Sequence, residues 1–233
     1  MRIDRIGIIT TTACNLHCPH CGQGPLRQAF PDYSLSLDDL HTLIDRAAAL
    51  DVQFSRVSFT GGEPTLWPSL SLAVDLFRAA WPATKILMFS NAARPERIRQ
   101  LAPRVDLIRL SRYPGRNDRE VDALAGLDHV SVCVGAHHPL PTGPVPDSLP
   151  ARCDCPAVGY FHHRVYLCNP SAARLCQIGM DPFDPAHSRD VLDDWAAWVK
   201  AVGPARFERA LCQSCISNRK TWQKPKTPKT PSD

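Results

Sequence analysis

The sequence predicts an α/β protein: an abbreviated, partial (β/α) barrel with parallel strands, followed by a small C-terminal cysteine-rich domain. Three observations support this prediction. Short apolar, β-branched runs alternate with amphipathic segments up to about residue 134, prolines then become frequent, and six of the 10 cysteines follow them. Because strands that alternate with helices through short connections form a parallel sheet, we expect the functional loops at the carboxyl ends of the strands.

The elements of the barrel follow from periodicity and capping signals. Ser36 and Asp39 have the spacing of a capping box, and apolar residues recur at helical spacing as far as about Leu50. The predicted strands cover residues 6–12, 57–60, 85–90, 106–110 and 129–134. The predicted helices cover residues 36–50, 69–80, 95–101 and 117–125.

Prolines after Gly135 end this alternation and mark a domain boundary. We place the barrel at residues 1–138 and the cysteine-rich domain at residues 139–220. Within the second unit we predict a β-hairpin over residues 160–167 and an amphipathic helix over residues 191–202. The remaining residues, 221–233, combine lysines and prolines without apolar anchors, a composition typical of a disordered tail.

Composition and charge exclude several classes of protein. The formal net charge is only +4, and several of the positive charges lie near the C-terminus, so no basic stripe predicts nucleic-acid binding. No apolar run approaches the ~18 residues of a membrane span, and the N-terminus has no apolar signal segment. We therefore expect a cytoplasmic protein without a membrane partner. In a reducing compartment, 10 cysteines favour metal binding or thiol chemistry over disulfides.

The first cysteine motif lies directly after the first predicted strand. Cys14, Cys18 and Cys21 form a CxxxCxxC pattern on one loop. A closed structural zinc site uses four protein ligands, so three thiolates fit an iron–sulfur cluster in which one iron binds something else. The alternative is a zinc site completed by His17 or His20.

The second motif is Gly61-Gly62-Glu63, which follows the second predicted strand. Glycines allow the backbone to approach a ligand closely, and the Glu63 carboxylate can accept hydrogen bonds from an ammonium group. The alternative is an ordinary turn from strand to helix, with Pro64 at the start of the helix.

The two motifs together resemble the radical S-adenosylmethionine (SAM) superfamily. The resemblance implies that Cys14, Cys18 and Cys21 bind a 4Fe-4S cluster, whose unique iron is chelated by the amino and carboxylate groups of SAM. It further implies contacts of Glu63 with the methionine amino group and of His20 with the adenine, whereas an exposed loop histidine is the alternative for His20. The SAM-binding residues that the resemblance implies are His20, Gly61, Gly62, Glu63, Ser90, Asn91 and Ser111. For Ser90, Asn91 and Ser111 the alternative is a role in ending strands and capping turns.

The second group of cysteines resembles the twitch domain, a one-cluster relative of the SPASM extension in radical SAM enzymes. The resemblance implies an auxiliary 4Fe-4S cluster held by Cys153 or Cys155 together with Cys168, Cys212 and Cys215. The alternative is a structural zinc ribbon, because CxC and CxxC pairs bind zinc equally well. Cys176 has no assigned role.

The resemblance implies an enzyme that cleaves SAM to a 5′-deoxyadenosyl radical and draws electrons from a donor such as flavodoxin or ferredoxin. The abbreviated barrel with a twitch region is similar to dehydrogenases of this subgroup that oxidise an aminocyclitol in natural product biosynthesis. We therefore expect oxidation of a small molecule, an amino sugar or cyclitol, also because we expect the chain to leave no room for a peptide-recognition domain. One alternative is a ribosomal-peptide maturase, for crosslinking or epimerisation, whose recognition domain is a separate protein. A non-catalytic iron–sulfur or zinc binding module is the second alternative.

Overall fold

The computed structural model describes residues 1–18, 21–134, 157–168, 171–177 and 179–202. These residues form an eight-stranded sheet with the order β5-β4-β3-β2-β1-β6-β7-β8. The strands are β1 Arg2–Ile9, β2 Gln53–Thr60, β3 Lys85–Ser90, β4 Leu107–Arg112, β5 Val130–Val134, β6 Ala157–Phe161, β7 Arg164–Tyr166 and β8 Ser188–Asp190. The helices are α1 Gly24–Ala29, α2 Leu37–Ala49, α3 Leu70–Ala80, α4 Pro95–Leu101, α5 Asp118–Asp122, α6 Ser171–Gln177 and α7 Trp195–Val202.

The sheet is parallel from β5 through β1 to β6 and antiparallel from β6 to β8. Among the described strands no pairing joins β5 to β8, so the sheet is open rather than a closed barrel. The predicted α/β class with an abbreviated parallel barrel is confirmed. The strand β6 comes after the predicted domain boundary in sequence, yet it lies directly beside β1 and continues the parallel part of the sheet.

Burial in the core explains why the sequences of the central strands contain apolar runs. Every residue of β1 from Ile6 to Ile9 is buried, as expected for a parallel strand with both faces covered. The helices α2 and α3 place apolar residues such as Leu43 and Phe77 in the same core. From the C-terminal region, Trp195 of α7 stacks on Phe54 of β2 with ring centroids 6.4 Å apart.

The predicted boundaries differ from the observed ones where polar residues flank an apolar run. The first strand begins at Arg2 and ends at Ile9, so the polar stretch 10–12 belongs to a loop and not to the strand. The predicted capping box is present, because Ser36 accepts a hydrogen bond from the Asp39 N–H and the Asp39 carboxylate accepts one from the Ser36 N–H. In the described part of the chain, no helix is long and apolar enough to cross a membrane.

Candidate functional site

The candidate site lies at the carboxyl edge of the parallel sheet. The cysteine motif follows β1, Gly61-Gly62-Glu63 follows β2, Asn91 follows β3 and Tyr113 follows β4. Because parallel strands end at the same edge, four segments that are far apart in sequence meet there. Ser90 and Ser111, predicted from the sequence, are the last or nearly the last residues of their strands.

The cysteine motif belongs to an excursion of the chain between β1 and α2 that is closed at its base. The Thr12 N–H donates to the Tyr33 carbonyl at 3.0 Å, and the Leu35 N–H donates to the Thr10 carbonyl at 2.8 Å. The hydroxyl of Thr12 adds a bond to the Phe30 carbonyl at 2.7 Å. The buried threonines after β1 therefore fix both ends of the excursion before the first cysteine is reached.

Arg27 of α1 holds the segment that carries the first cysteine. Its guanidinium donates to the Leu16 carbonyl at 2.9 Å and to the Cys14 carbonyl at 3.5 Å. Burial raises the pKa of the Cys14 thiol, while the Leu16 N–H and the charge of Arg27 act in the opposite direction. Burial also raises the pKa of Cys18, and the nearby Cys21 adds to that increase.

The three thiols are half-buried and form no disulfide. The Cys21 thiol is close enough to influence the pKa of both Cys14 and Cys18. In the described ranges, however, no three His, Cys, Asp or Glu side chains are arranged to hold a metal ion. His20, the predicted adenine contact, lies outside the described residues together with Pro19.

The two glycines pack against the cysteine excursion. A Cβ atom on Gly62 would lie 2.1 Å from the Ala13 carbonyl oxygen, and one on Gly61 would lie 2.4 Å from that of Thr11. Gly61 also has a φ of +140°, which favours glycine. The Gly62 and Glu63 N–H groups donate to the Thr11 and Ala13 carbonyls at 2.6 and 2.8 Å. The sequence suggests that these glycines let the backbone approach a ligand. In this structure they instead approach the backbone of residues 11–13, just before Cys14.

Glu63 is buried, 1% exposed, and its carboxylate accepts four hydrogen bonds. The oxygen Oε1 accepts from the Thr65 N–H, the Thr65 hydroxyl and the Ser90 hydroxyl, at 3.0, 2.6 and 2.7 Å. The oxygen Oε2 accepts from the Asn91 N–H at 2.7 Å. Glu63 also caps a 3₁₀ turn that begins at Pro64, so the turn from strand to helix that the sequence offers as an alternative does exist. The carboxylate joins the ends of β2 and β3, and Oε2 retains capacity for a further donor.

Asn91 connects this carboxylate to the cysteine motif. Its side-chain amide Nδ2 lies 3.0 Å from Asn15 Oδ1 and 3.5 Å from Cys14 Sγ. Its Oδ1 atom is buried and has no hydrogen-bond partner among the described residues. A buried acceptor without a partner is costly in a folded protein, so this oxygen is available to a donor on a bound molecule or water.

Two residues beyond β4 complete the edge and were not predicted from the sequence. The Tyr113 phenol bonds to Ser111, and burial together with the nearby cysteines raises its pKa to about 12. The Asn117 side chain, 4% exposed, joins the backbone at the ends of β3 and β4. No local pattern distinguishes either residue, because the bond of Asn117 to Asn91 and the approach of Tyr113 to the cysteines form only in the folded sheet.

Most of the second group of cysteines lies outside the described residues: Cys153, Cys155, Cys212 and Cys215. Cys168, which follows β7, is described and half-buried. The helix α6 comes shortly after it and packs against α1 of the cysteine excursion. A small apolar cluster that includes Leu26 of α1 and Leu175 of α6 forms this contact. The C-terminal region therefore supports the excursion that carries the first motif.

The chemistry of the residues present fits the cofactors that the motifs imply, although their side chains are not gathered around one point in the described part of this structure. Three half-buried thiols lie on one loop, and the Asn91 amide, whose Oδ1 has no partner among the described residues, lies beside the first of them. The chemistry of this donor set suits an iron–sulfur cluster with one open iron and a polar organic ligand next to it. An open, mostly parallel α/β sheet with such a loop after its first strand defines a class of cluster-dependent proteins.

Comparisons with known proteins agree with both sequence motifs. The model of the Radical SAM superfamily matches residues 8–112, a range that includes both sequence motifs. GTP 3′,8-cyclase from Chlorobaculum tepidum is 31% identical over 134 residues, which are 56% of this chain and 32% of the cyclase. The chain thus aligns with about a third of that relative's length. Residues 8–112 thus form a radical SAM domain.

Solved structures agree with the fold. A crystal structure of BtrN in complex with AdoMet and 2-DOIA matches with a TM-score of 0.61 and 16% identity, covering 87% of each chain. A structure of selenomethionine BtrN in an open conformation matches with a TM-score of 0.58 and 16% identity, covering 92% of each chain. At this identity the likeness concerns the fold.

Proposed function

We propose that this protein is a radical SAM enzyme that oxidises a small molecule of the amino sugar or cyclitol class with the help of an auxiliary iron–sulfur cluster. The observation that carries the proposal is the carboxyl edge of the sheet, where the cysteine loop, Glu63 and Asn91 meet. In the proposal Cys14, Cys18 and Cys21 hold a 4Fe-4S cluster. When bound, the cluster supplies the electron that cleaves SAM to methionine and a 5′-deoxyadenosyl radical.

The protein's own groups bind and orient SAM in this proposal. The Glu63 carboxylate retains an acceptor position on Oε2 for the methionine ammonium. The partnerless Oδ1 of Asn91 accepts from a second donor of SAM, next to Cys14. Arg27 keeps the backbone of the cysteine segment in place through its two carbonyl contacts. Ser111 and His20 remain proposed SAM contacts.

The oxidation itself depends on the C-terminal cysteines. We assign Cys168, Cys212 and Cys215, with Cys153 or Cys155, to an auxiliary 4Fe-4S cluster that would accept the second electron lost by the substrate as a proton leaves. The 5′-deoxyadenosyl radical would remove the first electron as a hydrogen atom, and a flavodoxin or ferredoxin would supply the separate electron that cleaves SAM. The fold match to a structure that holds both AdoMet and 2-DOIA supports a small-molecule substrate.

Similarity to GTP 3′,8-cyclase favours a second candidate, a radical reaction on a purine nucleotide. The two candidates differ in substrate and not in the SAM site. Assays with GTP and with a panel of aminocyclitols and amino sugars distinguish them by the product formed and by substrate-dependent formation of 5′-deoxyadenosine.

The first experiment counts iron, sulfide and zinc per chain after anaerobic reconstitution, for the wild type and for the Cys14/Cys18/Cys21→Ala variant. We expect about eight irons in the wild type and about four in the variant, with 5′-deoxyadenosine formed by the wild type alone. About four irons that fall to none, with one zinc retained, would replace the auxiliary cluster by a structural zinc site. A wild type that binds iron but never cleaves SAM would contradict the enzyme proposal and favour a non-catalytic module.

A further inference from the structure

Asn117 is a buried amide that uses all of its hydrogen-bonding groups on the backbone of the carboxyl edge. Its Nδ2 donates to the Asn91 carbonyl at 2.6 Å and to the Ser111 carbonyl at 2.9 Å. Its Oδ1 accepts from the Tyr113 N–H at 2.7 Å. Both protons of the amide and its oxygen are therefore satisfied inside the protein, with 4% of the residue exposed.

The partners of Asn117 are the residues that face the cysteine motif. Asn91 donates its own N–H to Glu63 and its side-chain amide to Asn15 and toward Cys14 Sγ. Tyr113 follows β4, the strand next to β3, and its phenol bonds to Ser111 at the same edge. A shift of Asn117 would therefore displace the backbone at Asn91 and at Tyr113 together.

The surrounding turn is built to keep Asn117 in place. The residue stands at the N-cap position of α5. Asp118, the next residue, accepts a hydrogen bond from the Gly115 N–H at 2.6 Å and forms an ion pair with Arg112 at 3.1 Å. The Asn117 carbonyl also accepts from the Val121 N–H at 3.0 Å, so the residue is fixed from both sides.

We infer that Asn117 is a positioning residue for SAM binding, because its amide sets the places of Asn91 and Tyr113 relative to the cysteine loop. The inference rests on the proposed function and adds a residue to the same site. Asn117 lies beyond residue 112, where the match to the superfamily ends.

The test compares Asn117→Asp and Asn117→Ser with Thr84→Val in the full-length, reconstituted protein. Asp keeps the shape of the Asn side chain but replaces Nδ2, which donates to the Asn91 and Ser111 carbonyls, with an oxygen. Ser is a milder change, because its shorter side chain cannot reach both carbonyls. Thr84 is a matched control, since its buried hydroxyl, just before β3, donates to the Phe54 carbonyl of β2 at 2.6 Å at the opposite edge. All three variants lose buried hydrogen bonds, but only those at Asn117 alter the proposed site.

We expect both Asn117 variants to raise the Kd for SAM by about tenfold or more, the usual effect of removing a partner that orients the groups touching a bound metal or ligand. The KM for SAM in 5′-deoxyadenosine formation should rise more than kcat falls. The change that SAM causes in the EPR spectrum of the reduced cluster should be smaller in both Asn117 variants than in the wild type. Thr84→Val should lower Tm while leaving these three readouts at wild-type values.

The inference is wrong if the Asn117 variants lose thermal stability as Thr84→Val does but bind SAM as the wild type does. If Asn117→Asp does not fold, the Ser variant decides by the same readouts. A cluster-loaded wild type that binds no SAM overturns the proposed function and this inference together. A wild type that binds SAM alongside unaffected Asn117 variants overturns the inference alone.

Discussion

At the carboxyl edge of the sheet, Glu63 and Asn117 make their hydrogen bonds away from water, whereas at the amino edge Arg78 and Asp106 form an ion pair in contact with it. The pair at the amino edge spans 2.9 Å, and both side chains are 38% exposed. Exposed pairs contribute little to stability, while buried polar groups without partners are costly. The two edges join the same strands, so the difference shows that the polar groups next to the candidate site are shielded from water while this ion pair is not.

The largest loss of stability is expected from Gly62→Ala. The new Cβ would meet the backbone of residues 12 and 13, which cannot move without opening the excursion. We expect a loss of about 4 kcal/mol or more in the free energy of unfolding, together with low iron incorporation. Urea unfolding and iron analysis measure the two quantities.

Gly22→Ala is the control for that substitution. It lies in the same excursion, and a Cβ there meets nothing within 4 Å. We expect stability and iron content close to those of the wild type. Equal behaviour of the two alanine variants would contradict the packing of Gly62 on the cysteine excursion.

Glu63→Ala should cause the next largest loss of stability and should also abolish SAM cleavage. It removes the acceptor of four hydrogen bonds and leaves the Thr65 and Asn91 N–H groups without partners. We expect a loss of about 3 kcal/mol in stability and loss of SAM cleavage with the cluster still bound. Calorimetry of SAM binding at a temperature well below Tm separates binding from unfolding.

Glu96→Ala is the matched substitution, since Glu96 is an exposed glutamate in the first turn of α4. Its loss should cost a few tenths of a kcal/mol and leave SAM binding intact. If Glu63→Ala binds SAM as well as Glu96→Ala does, the proposed contact of Glu63 with SAM is wrong, whatever the change in stability.

The smallest effect is expected at the amino edge, from Asp106→Asn. Burial acts to raise the pKa of Asp106, but the Ile86 N–H and the Arg78 guanidinium outweigh it and the pKa is lowered. A carboxyl with a lowered pKa stabilises the fold above its unfolded pKa of about 3.9, and the benefit is lost as the pH falls through the folded value. We expect a loss below about 1 kcal/mol at pH 7 that disappears in acid.

Urea unfolding of the cluster-free chain at several pH values checks this prediction. The comparison between edges also requires that Asp106→Asn, once reconstituted, cleaves SAM at the wild-type rate. A loss of cleavage there would show that the two edges are not independent.

The sequence predicts the site where the signal is local. The cysteine spacing and Gly61-Gly62-Glu63 are short patterns, and the strands before them were found because apolar runs mark them. Asn117 could not be found, because it is a single polar residue whose partner Asn91 is 26 positions away. The short helices α1 and α6 also escaped prediction, since each is stabilised by packing on the other more than by its own periodicity.

The role of Glu63 also could be predicted only in part, because some of its contacts join residues that are distant in sequence. The sequence suggests an acceptor for an ammonium group, but the structure adds an internal role that depends on Ser90 and Asn91, 27 and 28 positions away. A pattern identifies which residue type is needed at a site. Contacts between strands determine which other groups of the protein that residue also binds.

The closed base of the cysteine excursion has a consequence for how the protein acquires its cofactor. Hydrogen bonds from Thr12 to Tyr33 and from Leu35 to Thr10 already bring the two ends together. The loop-closure entropy of the excursion is thus lost when the chain folds, and not when metal arrives. Cluster insertion then needs to order only the inner residues around the thiols. On the proposed function, we therefore expect the protein to fold before the cluster is inserted and to remain folded when the cluster is lost.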